Sequence, residues 1–414
     1  MSPAASRGQR VVITGVGLVT PIGSSLEACS RALREDVSGV RVQPEWAQLG
    51  HLATRLGGEV LGVKMAGKDR KKIRSMGRVA RLALTATEQA IADAGLGPDE
   101  IADLRTGLAY GSTHGSSSAY VDFARPLLAR DSFEGLPSTS YLKFMSHTCA
   151  ANLAQYYGVR GRVVSTCAAC VSGSQAVGTG YEAIRAGRAD VMICGGAEEL
   201  HWTHAGVFDV MYATSTRYNE SPERSPRPFD AARDGLVVAE GAGTVILEDY
   251  ERAKARGATI YAEVAGYGAS CDGTHVTNPS AEGMASAIRL GLEDAGVSAD
   301  AVDYVNAHAT ATEVGDLAES EAMHAVFGSR VPVSSSKGFM GHTLGACGAI
   351  EVGLCVAMMR DGFLAPTKNL SQVDPRCAPL DHVIGDAREA RPRLVMSNNF
   401  AFGGINTSLV LRAL

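Results

Sequence analysis

The β-branched pair Val163 and Val164 leads into a run of small residues, after which Val177, Tyr181 and Ile184 recur at spacings of four and three. That change of period predicts a strand, a tight turn and a helix, with Cys170 at the turn. The same grammar recurs downstream. Val191 to Cys194, Tyr304 to Ala307, Val331 to Ser336 and Leu394 to Ser397 read as strands, and Thr343 to Met359 as a helix. Several of these strands are continuous apolar runs, as expected where both faces of a sheet are covered.

Two echoes organise the chain. DAGLGPDEIADLRTGLA from Asp93 returns as DAGVSADAVDYVNAHAT from Asp294, and the helix ending IRAG at Gly187 returns as one ending MMRDG at Gly362. The parallels share one order, which predicts a duplicated α/β unit with its junction near Tyr250 to Gly257. The expected halves are 1–253 and 254–414, layered α/β/α/β/α with mixed, mostly parallel sheets. Stretches from Phe208 to Arg233 and from Gly268 to Glu282 are rich in Asn, Ser, Pro and Asp, and read as loops over a site or interface.

Composition narrows the function. With 414 residues, 45% of them hydrophobic, the chain has ample core, and a net charge of -5 carries no nucleic-acid or polybasic membrane signature. No segment approaches the length of a membrane span, and the N-terminus lacks a signal-peptide core, so a cytoplasmic protein is expected. The nine cysteines are odd in number and mostly set among small apolar residues, which suits reduced thiols. Cys167 and Cys170 form a C-x-x-C, yet neither a second ligand pair nor a thioredoxin-like context accompanies it.

Candidate chemistry gathers at element ends. At a helix N-terminus, unpaired N–H groups and the helix dipole favour a thiolate, which makes Cys170 a candidate nucleophile rather than one more buried small hydrophobe. His308 ends one strand, Lys337 ends another, and His342 opens the following helix. Histidines and a lysine at such edges face a cleft more readily than those inside elements. The turn from Asn398 to Asn406, with Phe400, Phe402 and Gly403, offers backbone N–H groups for an oxyanion and an aromatic lid.

ACVSG around Cys170, NAHATAT around His308, SSSKGFMGHTLGACGAIE around Lys337 and His342, RPFDAARDGLVVAEGAG from Arg227, SNNFAFGGIN near the end and the N-terminal VVITGVGLVTPIG resemble one family. It is the β-ketoacyl-acyl carrier protein synthases of the elongating, Cys-His-His type. The resemblance implies a thiolase-like fold, assembly as a homodimer or as a heterodimer with a related subunit, and no metal or organic cofactor in the reaction. It implies decarboxylative Claisen condensation: an acyl chain on Cys170, a malonyl thioester whose enolate oxygen takes hydrogen bonds from His308 and His342, and an oxyanion against the N–H groups of Cys170 and Phe402. Lys337 would organise the field near His342. Thr310 and Thr312 would bind the phosphopantetheine arm, and Lys68, Lys71 and Lys72 would dock an acidic acyl carrier protein.

The departures concern the substrate. HATAT and FAFGG carry Ala309 and Ala401 where the family commonly has glycine, which would stiffen the lid. His114, in GSTHGSSS, lies where fatty-acid enzymes carry an apolar residue of the acyl pocket, or else it is a surface or interface histidine. The pocket reading points to unsaturated or oxygenated chains, such as polyenes or aryl polyenes. Fatty-acid and polyketide versions are not separable at this level. A non-catalytic partner subunit is disfavoured by the presence of Cys170 with both histidines. A degradative thiolase is disfavoured because NNFAFGGIN holds no second, basic cysteine.

Overall fold

Val11–Val19 is buried at every position, so this strand can lie only between two covered faces. The structure, a computed structural model, describes residues 8–414. Its main sheet has eleven strands. In chain order the first half supplies β1 (Val11–Val19), β2 (Thr106–Gly111), β3 (Val163–Thr166), β4 (Val191–Glu198) and β5 (Gly241–Asp249). The second supplies β6 (Ala262–Cys271), β7 (Tyr304–Asn306), β8 (Pro332–Ser334), β9 (Asp381–His382), β10 (Leu394–Ala401) and β11 (Ile405–Arg412).

The spatial order is β9-β8-β7-β10-β11-β6-β1-β5-β4-β2-β3. Each half therefore runs third, second, fourth, fifth, first, with β9 added outside β8. Pairing repeats too: β2 is parallel to β3 and β4 as β7 is to β8 and β10, while β5 and β11 are antiparallel to both their neighbours. The halves meet where Val11 to Ile13 pair with Ala262 to Val264. The duplication expected from the echoes is present in the topology. The sheet is mixed, with parallel pairing on the flanks and antiparallel pairing in the centre. Central strands covered on both faces read as continuous apolar runs whichever way they point, so their direction was not legible.

Helices Ser172–Arg185 and Cys347–Asp361 pack against each other and against strands of both halves, forming the middle layer. Arg78–Ala94 covers β1 and β5 from one outer side; Ala281–Ala295 covers β6 and β11 from the other. These two outer helices end alike, at Gly95 and Gly296, each with φ of +65° in the left-handed cap that glycine favours. The repeated DAG marks this shared stop.

Local differences from expectation have simple causes. The helix after His342 begins at Cys347, because Leu344–Ala346 forms a tighter 3-10 turn first. Gly268 to Cys271 belong to β6 rather than to a loop, and the final turn is only Phe402 to Gly404, because β10 and β11 pair up to Ala401 and Ile405. The junction is occupied by the short helix Tyr250–Ala255. Ala401 and Ala309 are absent from the residues with positive φ, so neither position requires glycine.

The middle helices cross where each has a glycine. A Cβ on Gly348 would lie 2.5 Å from the Ser174 nitrogen, and one on Gly173 would lie 2.8 Å from the Ala349 nitrogen. Gly348→Ala should therefore force the two helices apart and cost about 1–3 kcal/mol, read as a lowered urea midpoint. Gly50→Ala, where nothing lies within 4 Å, should be neutral.

Candidate active site

Cys170 lies in the short 3-10 turn Ala169–Val171 that ends at the helix beginning with Ser172. Its predecessor Ala169 has φ of +48°, a left-handed conformation disfavoured by a Cβ. Ala311 (+69°) and Leu344 (+46°), also near the site, share that strain. A side-chain hydroxyl holds the turn: Ser172 Oγ accepts from the Ala168 N–H at 2.9 Å and donates to Ala169 O at 2.7 Å. The nucleophile position is thus fixed from both sides.

His342 Nε2 lies 3.0 Å from Cys170 Sγ. The His308 ring stands edge-on to His342, centroids 5.1 Å apart at 87°. One donor atom from each of Cys170, His308 and His342 falls within 4.8 Å of the others. The strand-end and helix-start residues predicted from sequence are therefore brought together. Lys337 is 2% exposed and forms an ion pair with Glu351, also 2% exposed. Asn399 Nδ2 donates to the other oxygen of Glu351 at 2.6 Å.

Electrostatics sets the protonation states. Desolvation first, then the Lys337 charge, holds His342 well below an ordinary imidazole; the same two causes, with His342 third, act on His308. Both rings are neutral. Desolvation works against the Lys337 ammonium, but the attraction of Glu351 prevails and keeps it charged. For Cys170, burial dominates and pushes the thiol up to about 12, opposed by Lys337 and reinforced by Glu198. This corrects the expectation from the helix terminus: its N–H groups do not outweigh burial. The resting group is a thiol, and His342 Nε2 is the acceptor within reach of its proton.

A cavity of about 1210 Å³ opens above these groups, lined by Cys170, His308, His342, Phe400, Phe402 and Glu319 among others. Thr310 and Thr312 line it as well, their hydroxyls 3.0 Å apart. Phe400 packs 6.2 Å from His308, and the partly exposed Phe402 stacks on Phe208 at 5.5 Å. Gly403 is not in the lining; with φ of +88° it makes the turn that presents Phe402.

His114 does not line this cavity either; it contacts Ser117 and His204. Lys68, Lys71 and Lys72 lie apart from the mouth. Lys68 pairs with Glu88, Lys72 Nζ donates to Tyr156 O at 2.9 Å, and Lys71 is exposed.

Sequence reasoning missed three carboxyls. Glu351 was legible as a lone charge inside the apolar helix CGAIEVGLCVAMMRD. Glu319 accepts the His308 N–H at 2.7 Å and the Ala309 N–H at 2.6 Å, and so fixes the strand-end loop. Glu198 accepts from the N–H groups of Thr113 and Gly345, tying both halves together. Neither of the last two carries a local sequence signal.

Cys170, His308 and His342 are metal-type ligands in compact array, but the Lys337 charge opposes a cation there.

Known proteins match this chain along most of its length. The family model for the N-terminal domain of beta-ketoacyl synthase matches residues 8–253, and that for the C-terminal domain matches residues 261–371. The 3-oxoacyl-[acyl-carrier-protein] synthase 1 of Haemophilus influenzae is 37% identical, covering 98% of this chain and 99% of its own. A beta-ketoacyl synthase crystal structure from Burkholderia phymatum superposes with a TM-score of 0.95 at 51% identity, covering 98% of this chain and 100% of its own. A type II polyketide synthase acyl-carrier protein in complex with its ketosynthase bound to the hexaketide gives 0.88 at 32% identity, with 98% and 100% covered.

Two outcomes test the electrostatics. Lys337→Met strands a buried carboxylate and should cost about 3–5 kcal/mol, whereas Lys337→Met with Glu351→Gln should recover much of the loss in urea titrations. Because both histidines are held below their unfolded value of about 6.5, the unfolded chain takes up protons that the folded chain refuses. Stability should fall as pH drops below about 6.5, and replacing His308 and His342 by Asn should remove up to about 1.4 kcal/mol per pH unit for each from that slope.

Proposed function

The chain belongs to the β-ketoacyl synthase family, and we propose that it performs the decarboxylative Claisen condensation of that family with Cys170 as the acyl-bearing nucleophile. The observation that carries this reading is a buried thiol 3.0 Å from a neutral imidazole, with a second neutral imidazole facing the same space. A thiol acyl acceptor needs a base in contact, and an enolate needs donors rather than a strong base.

Transfer begins when Cys170 gives its proton to His342 and attacks the incoming thioester carbonyl. The tetrahedral oxyanion is met by the N–H groups of Cys170 and Phe402. Its collapse expels the carrier thiol, which takes the proton back. A malonyl thioester then loses carbon dioxide, and the enolate oxygen that forms accepts hydrogen bonds from His308 and from His342, the latter now in its Nε2–H tautomer. The enolate carbon attacks the acyl-Cys170 carbonyl, the Cys170 sulfur leaves as a thiolate that takes a proton from solvent to restore the thiol, and a β-ketoacyl thioester departs. Lys337 acts through its charge, helping burial to keep both imidazoles neutral. Thr310 and Thr312 bind the phosphopantetheine arm along the cavity wall.

The acyl carrier protein, named in the relatives, is the substrate carrier we assign to this chain. Arg70, Lys71, Lys72 and Arg74 are exposed around the short helix Arg70–Ile73 and give an acidic carrier a basic landing site. Lys68, already paired with Glu88, contributes less. Residues 1–253 and 254–414 act as the nucleophile half and the histidine half, in a homodimer or with a related subunit, in the cytoplasm. A non-catalytic partner subunit would not need the Cys170–His342 contact.

Intact-mass analysis after incubation with acyl-carrier thioesters should show one acyl mass on the wild type and none on Cys170→Ala. His308→Ala should still acylate, but release carbon dioxide from malonyl carrier about 10²–10³-fold more slowly, the usual loss with one oxyanion donor. A bare wild type with every donor would overturn the reading.

A further inference from the structure

Glu198 ends β4 fully buried, and its two oxygens have unlike surroundings. Oε2 accepts from the Thr113 N–H at 3.0 Å, the Thr113 hydroxyl at 2.7 Å and the Gly345 N–H at 3.1 Å. Oε1 is buried without a hydrogen-bond partner among the described residues. The next residue differs: Glu199 takes the Ser118 N–H on one oxygen and the Ser116 hydroxyl and Val79 N–H on the other. A carboxylate with one unpaired oxygen in a dry place is expensive. The protonated acid costs less, because it puts its O–H on that oxygen and keeps every bond accepted by the other. Burial outweighs the three bonds and pushes Glu198 up to about 8, with the Glu199 charge acting in the same direction.

The partners of Oε2 reach both members of the reacting pair. Thr113 O accepts from Cys167 Sγ at 2.7 Å, and Ser112 O accepts at 3.3 Å from Ser172 Oγ, the hydroxyl that holds the turn of Cys170. Gly345 follows His342 by three residues, in the 3-10 turn that opens on the strained Leu344. Its peptide is tightly enclosed. A Cβ on Gly345 would lie 2.6 Å from the Thr113 nitrogen; one on Gly196 would lie 2.5 Å from the Gly345 oxygen, and one on Gly173 3.1 Å from that oxygen. One carboxyl therefore closes the junction at which β4, the nucleophile turn and the turn after His342 meet. Glu198 is not in the cavity lining, so it acts through Thr113 and Gly345.

The ionisable groups around it are Glu199, Cys149 on the helix Thr148–Tyr157, and Cys167 and Cys170 after β3; none of these is a cation. The His114 ring, next to Thr113, is engaged by Ser117 and His204. Beyond burial, which acts first on each, a charge on Glu198 raises all three thiols.

We propose that Glu198 is a positioning residue for acyl transfer: as a neutral acid it holds Cys170 and His342 in contact, and as a carboxylate it suppresses the transfer. This rests on Cys170 being the acyl-bearing nucleophile.

The experiment is single-turnover acylation of the full-length protein by one saturated acyl-carrier thioester, read by intact mass from about pH 6.5 to 9.5. The wild-type rate should fall about tenfold between about pH 7 and 9 as the neutral acid is lost. Glu198→Gln, uncharged and keeping an acceptor oxygen, should retain most of the rate at neutral pH and lose the alkaline fall. Glu198→Ala, which releases both turns, should acylate about 10²-fold more slowly at neutral pH. Thr113→Val removes one hydrogen bond that favours the carboxylate, and should move the fall to higher pH. The proposal is overturned by an alkaline fall that persists in Glu198→Gln, by a Glu198→Gln rate at neutral pH as low as that of Glu198→Ala, or by a fall unmoved in Thr113→Val. A wild type that stays bare at every pH sinks the condensation reading itself, and this proposal with it.

Discussion

The buried ion pair between Lys337 and Glu351 is the constraint on which the site depends. It joins the turn after β8 to the middle helix, and through Asn399 it reaches β10. Burying two charges is expensive, and a pair of this kind is a poor source of stability compared with apolar packing. What it supplies is a fixed positive charge in a dry place. Desolvation alone would leave the two imidazoles neutral; the ammonium reinforces that state by excluding a second positive charge nearby. The same charge is the main term drawing Cys170 back from the rise imposed by burial. One lysine thus bears on the protonation of three buried groups.

That balance shifts the burden of activation from the cysteine to the contact. With its thiol held up to about 12, Cys170 carries a negligible thiolate fraction at neutral pH. The acceptor within reach of its proton is His342 Nε2, 3.0 Å away. The helix N-terminus matters less as a source of ionisation than as geometry, because it fixes the sulfur's direction.

Legibility in the sequence followed chemical distinctiveness. Cys170, His308, Lys337 and His342 could be found because each lies at an element end, where period changes mark a boundary. The duplicated fold was readable from DAG and from glycine-stopped helices, because a left-handed cap admits few residues. Strand direction was not readable in the centre of the sheet, where burial on both faces erases alternation. Glu198 and Glu319 were invisible because their partners are backbone N–H groups from remote loops, a relation with no local periodicity. The ionisation of Cys170 was misjudged for a related reason. A helix terminus is local, but desolvation belongs to the whole fold.

Duplication explains why the site is asymmetric and yet compact. Strands β2 and β7 hold equivalent places, as do β3 and β8. Four residues past β3 comes Cys170, and three past β8 comes Lys337, each just before a middle-layer helix is reached. Two residues past β7 comes His308; two past β2 comes Thr113, followed by His114. The same loop position therefore carries an imidazole that lines the cavity in one half and leads to Thr113, held by Glu198, in the other. Because the middle helices cross at Gly173 and Gly348, the four loops converge on one space. The first half contributes the sulfur. The second contributes the charge and both imidazoles beside it. Neither half alone could place a neutral imidazole against a buried thiol, so the chemistry depends on the crossing.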